Sequence, residues 1–250
     1  MELLNLATGR LLVVLQQTQL VDPTTGLGIA VSPGPWLDDK HFYLEGAPNG
    51  PGDSPLTLYA LDTAKGANQQ ARDFIKVYDY SGFWMSFDSS ADHSRLFVST
   101  FKLSQVSLTR HGPSTIISEP ALRGPSTVVY TTPTLAIITV RVISRTTMLL
   151  LIENVNGDTS HNGLWKMQLD GTVLTRLTTT GAGQMSSLNE RSLSPWSTIS
   201  RDGSTYALKI SSNNGTTQSL LIGSLGGTSA STFATFSGIG SVAIVGWTTM

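Results

Sequence analysis

Cysteine is absent from all 250 residues, so disulfides, thiolate metal sites and cysteine nucleophiles are excluded, while the redox compartment stays open. Charge is sparse as well. Asp, Glu, Lys and Arg make up 13% of the chain, and 16 basic against 17 acidic residues leave a formal net charge of -1. That balance gives no broad positive field, so no nucleic-acid partner is expected. Long apolar runs are also missing. Stretches such as Leu11 to Leu15 and Leu135 to Val140 fall far short of the roughly 20 residues that cross a bilayer, so no membrane insertion is expected. Glu2 stands where a secretory leader would carry basic residues and Arg10 interrupts the early apolar segment, so no leader is expected and the compartment is left open. A sustained apolar stripe of period 3.6 is lacking, because Gly, Pro, Ser and Thr interrupt the helical windows.

What the chain does have is 40% hydrophobic residues and 24 glycines, the composition of many short strands joined by turns. One pattern recurs five times: a short apolar alternation, a polar turn, then a second apolar segment. The copies are LLNLATGR at Leu3, LYALDTAKG at Leu58, VSLTRHG at Val106, LWKMQLDG at Leu164 and LLIGSLGG at Leu220. Their second segments are LLVVL, DFIKVY, STIIS, VLTRL and STFATF. Aligned on Leu6, Leu61, Leu108, Leu169 and Leu225, the copies are 55, 47, 61 and 56 residues apart, close to the period of a propeller blade.

Two further segments precede each of the last four copies. HFYLEG, RLFVSTF, TMLLLIE and STYALKIS lie just upstream, and GIAVSP, FWMSFD, AIITV and WSTIS lie before those. Each interval therefore offers four strands, which predicts an all-β chain of four-stranded propeller blades over residues 27–80, 81–120, 124–180 and 192–238. The ends read as partial blades: residues 1–16 as two final strands, and residues 240–250, with GSVAIVGW, as one first strand. A five-bladed ring would then close on a three-stranded mixed blade. A segment of a larger propeller, with exposed edges, is the favoured alternative.

The stretch SPWSTISRDGSTYALKIS, Ser194 to Ser211, resembles the TolB-like and WD40-like bacterial propeller repeat, in which a Ser-x-Asp-Gly turn joins the first two strands. Ser200, Asp202 and Gly203 carry the likeness. The other copies depart from it: PWLDDKHFYL lacks the glycine, SSADHSRLFV has His93 after Asp92, and the third copy lacks the Asp-Gly pair. The resemblance implies a scaffold that binds proteins or small molecules, or a sensor or gating domain beside other modules.

Catalytic and metal chemistry leave little trace. No G-x-S-x-G elbow or phosphate-cradling loop occurs, and His41, His93, His111 and His161 lie far apart, so no catalytic residue and no cofactor is assigned. The adjacent Asp38 and Asp39 read as a turn rather than as a glycosidase pair. In ENVNGDTSHNG, the oxygens of Glu153, Asn154, Asn156, Asp158 and Ser160 could surround calcium, although a polar hairpin loop explains the same residues. The five tryptophans read first as blade packing, with Trp36 and Trp196 as possible stacking platforms.

If the blades are right, the longest polar connections gather on one rim. These are GAPNGPGDSP, ENVNGDTSHNG and SSNNGTT between second and third strands, and QQTQLVDPTTG and GAGQMSSLNERSLSP between blades. That nominates Asn49, Asp53, Asp158, His161, Asn189, Glu190, Arg191 and Asn214 as partner-binding residues. The functional expectation is a noncatalytic binding or sensor scaffold that recognises a protein, peptide or glycan. The alternative is an enzyme-associated propeller, either a glycosidase fragment or a peptidase gating domain.

Overall fold

The computed structural model describes residues 2–16, 21, 26, 28–48, 56–68, 75–80, 84–104, 109–155, 157–188, 198–212, 215–238, 242–244 and 246–248. These residues form an all-β protein built of four-stranded antiparallel blades, a β-propeller architecture. Among them no helix is long and apolar enough to cross a membrane. The chain divides into two compact units: Met1–Phe83 with Pro120–Pro125, and Trp84–Glu119 with Ser126–Met250.

The first unit opens with the hairpin β1 (Glu2–Leu4) and β2 (Leu11–Val13), turned by Asn5, whose side chain accepts from the amides of Ala7 and Thr8. Its blade runs in simple order through β3 (Ile29–Trp36), β4 (His41–Pro48), β5 (Leu56–Asp62) and β6 (Ile75–Tyr80). Val14, Leu15, Phe42, Leu44 and Leu61 form its core.

The second unit carries three blades. They are β7 (Trp84–Ser89), β8 (Arg95–Ser104), β9 (Thr109–Pro120) and β10 (Thr127–Thr132); β11 (Ile137–Val142), β12 (Thr147–Ile152), β13 (Gly163–Gln168) and β14 (Thr175–Arg176); and β15 (Met185–Ser187), β16 (Thr205–Ser211), β17 (Thr217–Ser224) and β18 (Ala230–Ser237). The middle blade is apolar on both faces because it is sandwiched. Along β12, Met148, Leu150 and Ile152 pack toward Phe97 and Ile116 of the preceding blade. Leu149 and Leu151 pack toward Tyr206, Leu208 and Ile210 of the following one. Alternate residues of a strand point to opposite faces, so TMLLLI reads as an unbroken apolar run rather than as an alternation.

Edge strands leave backbone donors that no neighbouring strand can take. On β11 the preceding blade supplies side-chain acceptors instead. The Val142 amide donates to Asp88 Oδ2 at 2.8 Å, the Val140 amide to Ser86 Oγ at 3.4 Å, and the Ile137 amide to Ser114 Oγ at 3.0 Å. Short polar side chains on β7 and β9 therefore act as rungs between blades.

Three strand assignments differ from the sequence reading. Of the third copy, residues 106–108 lie outside the described residues, and residues 109–112 are not separated from STIIS by a turn at Gly112: β9 runs straight through, and the outer strand is β10. Gly112 is there for space. A Cβ on it would sit 2.7 Å from the Pro133 carbonyl oxygen, and its own amide donates to the Thr134 carbonyl. The second blade thus spans residues 84–132, and the third begins at Ile137. In the fourth blade the first strand is Met185–Ser187 rather than WSTIS, of which Ile199 makes only an isolated bridge to Tyr206. In GSVAIVGW the described residues lie in no strand; the Val242 amide donates to Gln218 Oε1 at 2.9 Å instead.

The first-to-second-strand turns repeat almost atom for atom in two blades. Ser90 Oγ donates to Asp92 Oδ1 at 2.6 Å and Ser200 Oγ to Asp202 Oδ1 at 2.6 Å. The Ser94 and Ser204 amides each reach the same aspartate oxygen at 3.1 Å, and the Arg95 and Thr205 amides each return to the first serine at 3.0 Å. His93, with φ of 57°, fills the left-handed position that Gly203 fills at 71°. The sequence departure at His93 therefore leaves the turn intact.

These turns make stability acid-sensitive. The Ser90 hydroxyl, with the Ser94 amide and hydroxyl, holds the Asp92 carboxyl down to about 2, and the Ser200 hydroxyl and Ser204 groups lower Asp202 in the same way. A carboxyl whose folded-state value is depressed adds stability above its unfolded value, and that stability drains as pH falls through the folded value. Urea midpoints should therefore fall between pH 4 and about pH 2, with a shallower fall in Asp92→Asn together with Asp202→Asn. Leu150→Ala should cost about 2–5 kcal/mol by urea denaturation, whereas Val128→Ala, on an exposed strand position, should change it by less than about 0.5 kcal/mol.

Candidate functional site

In an antiparallel blade the starts of the first and third strands and the end of the second strand meet at one end of the sheet. In the second unit that end holds a cavity of about 430 Å³. Arg110 reaches it from the start of β9, Ile138 and Thr139 from β11, Met185, Ser186 and Ser187 from β15, and Lys209, Ser211, Ser212 and Gly215 from the end of β16 and the connection beyond it. All three blades contribute, and this is the end to which the sequence assigns the long polar connections.

Glu153 sets the geometry. It closes the apolar run of β12, is 1% exposed, and accepts from the Ser186 amide through Oε2 at 2.7 Å while Oε1 takes Arg110 Nη1. The Ser186 hydroxyl reaches the same Oε2 at 3.3 Å, and the backbone adds a second tie, from the Val155 amide to the Arg110 carbonyl at 3.0 Å. One carboxylate thereby fixes a residue of each flanking blade at the cavity floor. Arg110, with its side chain 26% exposed, has no other side-chain partner among the described residues, so Nε and Nη2 remain as donors. Lys209 Nζ donates to the Val242 carbonyl at 3.1 Å, which uses one of its three protons. The lining therefore presents two cations and several hydroxyls, with the balancing carboxylate buried beneath.

Of the sequence-nominated contact residues, Asn49, Asp53, Asn189, Glu190, Arg191 and Asn214 lie outside the described residues. Asp158 and His161 are described and sit together in the connection after β12, apart from the cavity lining. Asp158 Oδ1 accepts from the Ser160 amide at 2.8 Å, and its Oδ2 lies 3.8 Å from His161 Nδ1. The Ser160 hydroxyl and amide keep the Asp158 carboxyl below its ordinary value. His161 stacks on Trp165 with ring centroids 6.3 Å apart, and Arg176 covers the same indole at 5.5 Å while donating to the Ser160, Asn162 and Thr178 carbonyls. These contacts fasten the loop to the outer strands.

Of the residues that could surround calcium, Asn156 lies outside the described residues, and Glu153 and Asn154 commit side-chain oxygens to protein donors. Both Glu153 oxygens are taken as above, and Asn154 Oδ1 accepts from the Ala136 amide at 2.7 Å. Among the described residues no group of three or more metal-ligating acidic or histidine side chains occurs. Trp36 is 47% exposed and tilts against Phe42 at 5.3 Å, while Trp196 lies outside the described residues. The sequence reading missed Arg110, Ser186 and Lys209. The available signal was charge inside apolar runs: Lys209 in STYALKIS and Glu153 at the close of TMLLLIE.

Glu153→Gln keeps the shape but removes the charge that pairs with the partly exposed Arg110. It should lower stability by about 1.5–3 kcal/mol in urea titration. Ser187→Ala, at the neighbouring cavity wall, should change stability by less than about 0.5 kcal/mol.

No family model matches the chain, and no curated protein matches it. Among solved structures it is similar to an oligogalacturonate lyase from Vibrio parahaemolyticus, with 11% identity, a TM-score of 0.47, and coverage of 86% of this chain and 71% of that one. It is also similar to an oligogalacturonate lyase in complex with manganese, with 13% identity, a TM-score of 0.41 and the same coverage. At these values neither chemistry nor ligand transfers from one protein to the other.

Proposed function

We propose that the chain is a noncatalytic propeller module that binds its ligand in the cavity shared by the three blades of the second unit. The observation that carries the reading is the lining itself. Arg110 and Lys209 keep unused donors there, and Ser187 and Ser211 add hydroxyls to a concave wall assembled from separate blades. At about 430 Å³ the cavity falls within the roughly 300–1,000 Å³ range of small-ligand sites. A rigid scaffold that holds polar groups in fixed directions favours recognition, because little ordering remains to oppose binding. The TolB-like or WD40-like placement belongs to the same proposal. It is supported by the Ser200, Asp202, Gly203 turn and by its near-copy at Ser90, Asp92, His93.

The test is ligand-observed NMR with a mixture of short peptides, neutral sugars and small organic acids, run on the protein and on Ser187→Trp. The indole should fill the cavity and weaken binding at least tenfold, while the melting temperature stays within a few degrees. A ligand that binds both proteins equally well would place recognition elsewhere and end this reading.

A further inference from the structure

Resting on that reading of the cavity, we propose that its ligand is the C-terminal end of a peptide, the free carboxylate received by Arg110 and Lys209 and the last, apolar side chain by Ile138 and Met185. Charge comes first. Among the described residues two cations line the cavity and one carboxylate, Glu153, engages Arg110, which leaves one of their positive charges for the ligand to meet. A monoanion balances it. A phosphate monoester, at about -1.5 to -2 near neutral pH, carries more charge than the site compensates.

The shape of the donors agrees. Arg110 is held through one terminal nitrogen, so the free edge of its planar fork presents parallel N–H groups, the arrangement that matches the two oxygens of a carboxylate. Lys209, tethered by the Val242 carbonyl, adds a point charge with two further donors. The rest of the lining separates a peptide from a simple acid. Ser187 and Ser211 offer hydroxyls that both donate and accept, as a peptide's alternating N–H and C=O groups require. Ile138 and Met185 supply an apolar contact, and a methionine adapts to side chains of different shape. A neutral polyol would satisfy the serines and leave the cations and the apolar pair unmatched.

The experiment uses the full chain and a mixed library of tripeptides with an apolar last residue, each made as the free acid and as the C-terminal amide, with affinity read by fluorescence anisotropy. The acids should bind at least tenfold more tightly than the amides. Lys209→Gln should remove most of that preference, and Ser187→Trp should abolish binding of both forms. Arg110→Gln should act in the same direction but exposes the Glu153 charge, so Lys209→Gln decides the matter in a variant that leaves the buried pair intact. Acids and amides binding equally, yet both blocked by Ser187→Trp, would overturn the carboxylate proposal and leave the cavity as the binding site. Preference for inorganic phosphate or for neutral sugars in the same cavity would also overturn it. Acid-selective binding that survives Ser187→Trp would overturn both the proposal and the reading on which it rests.

Discussion

The carboxylate of Glu153 ties a strand of the middle blade to a donor from each neighbour, Arg110 on one side and Ser186 on the other. Burying a charge in this position is unfavourable unless every lone pair finds a strong donor, and only this relative placement of the three blades provides them. The interaction thus does more to specify how the blades meet than to add net stability. Apolar faces can slide by a fraction of a residue at small cost, whereas a buried carboxylate cannot.

The same logic extends along the seam between the first two blades of the second unit. Propeller blades meet face to face through apolar side chains, which sets their spacing but not their register. Register comes from Ser86, Asp88 and Ser114, which accept from the exposed backbone edge of β11. Asp88 also has Arg141 3.9 Å away, so its charge too is compensated within the seam. Each seam therefore combines a greasy interior with a few polar contacts whose partners sit more than 20 residues away in the chain.

That separation explains what could be read from the sequence. Local features were legible: four of the five hairpins, the four-strand interval, and the Ser-x-Asp turn at Ser200 follow from alternation and turn chemistry within a few residues. Gly112 misled because glycine serves two purposes, positive φ and close approach, and only the neighbouring Pro133 and Thr134 backbone distinguishes them. The unbroken apolar run of β12 signalled burial on both faces without naming what covers it. The cavity was illegible for a related reason: Arg110, Ser186 and Lys209 converge from three strands of two blades, and the sequence places them 76 and 23 residues apart. Loop polarity pointed to the end of the sheets that holds the cavity but to loop residues, whereas the cavity is lined mainly from strand ends.

Strand ends suit this role better than loop tips. A side chain on a paired strand inherits the rigidity of the sheet, so Lys209 and Ser187, which are opposed across β15 and β16, keep a fixed separation without further support. Arg110 is aimed in addition by Glu153, which holds one of its terminal nitrogens from the neighbouring blade. The cost of burying one carboxylate is thereby converted into direction: Arg110 is held by a single nitrogen, and the rest of its guanidinium stays available. A second carboxylate at the floor would have consumed the remaining donors and left a more stable seam with nothing to offer a ligand.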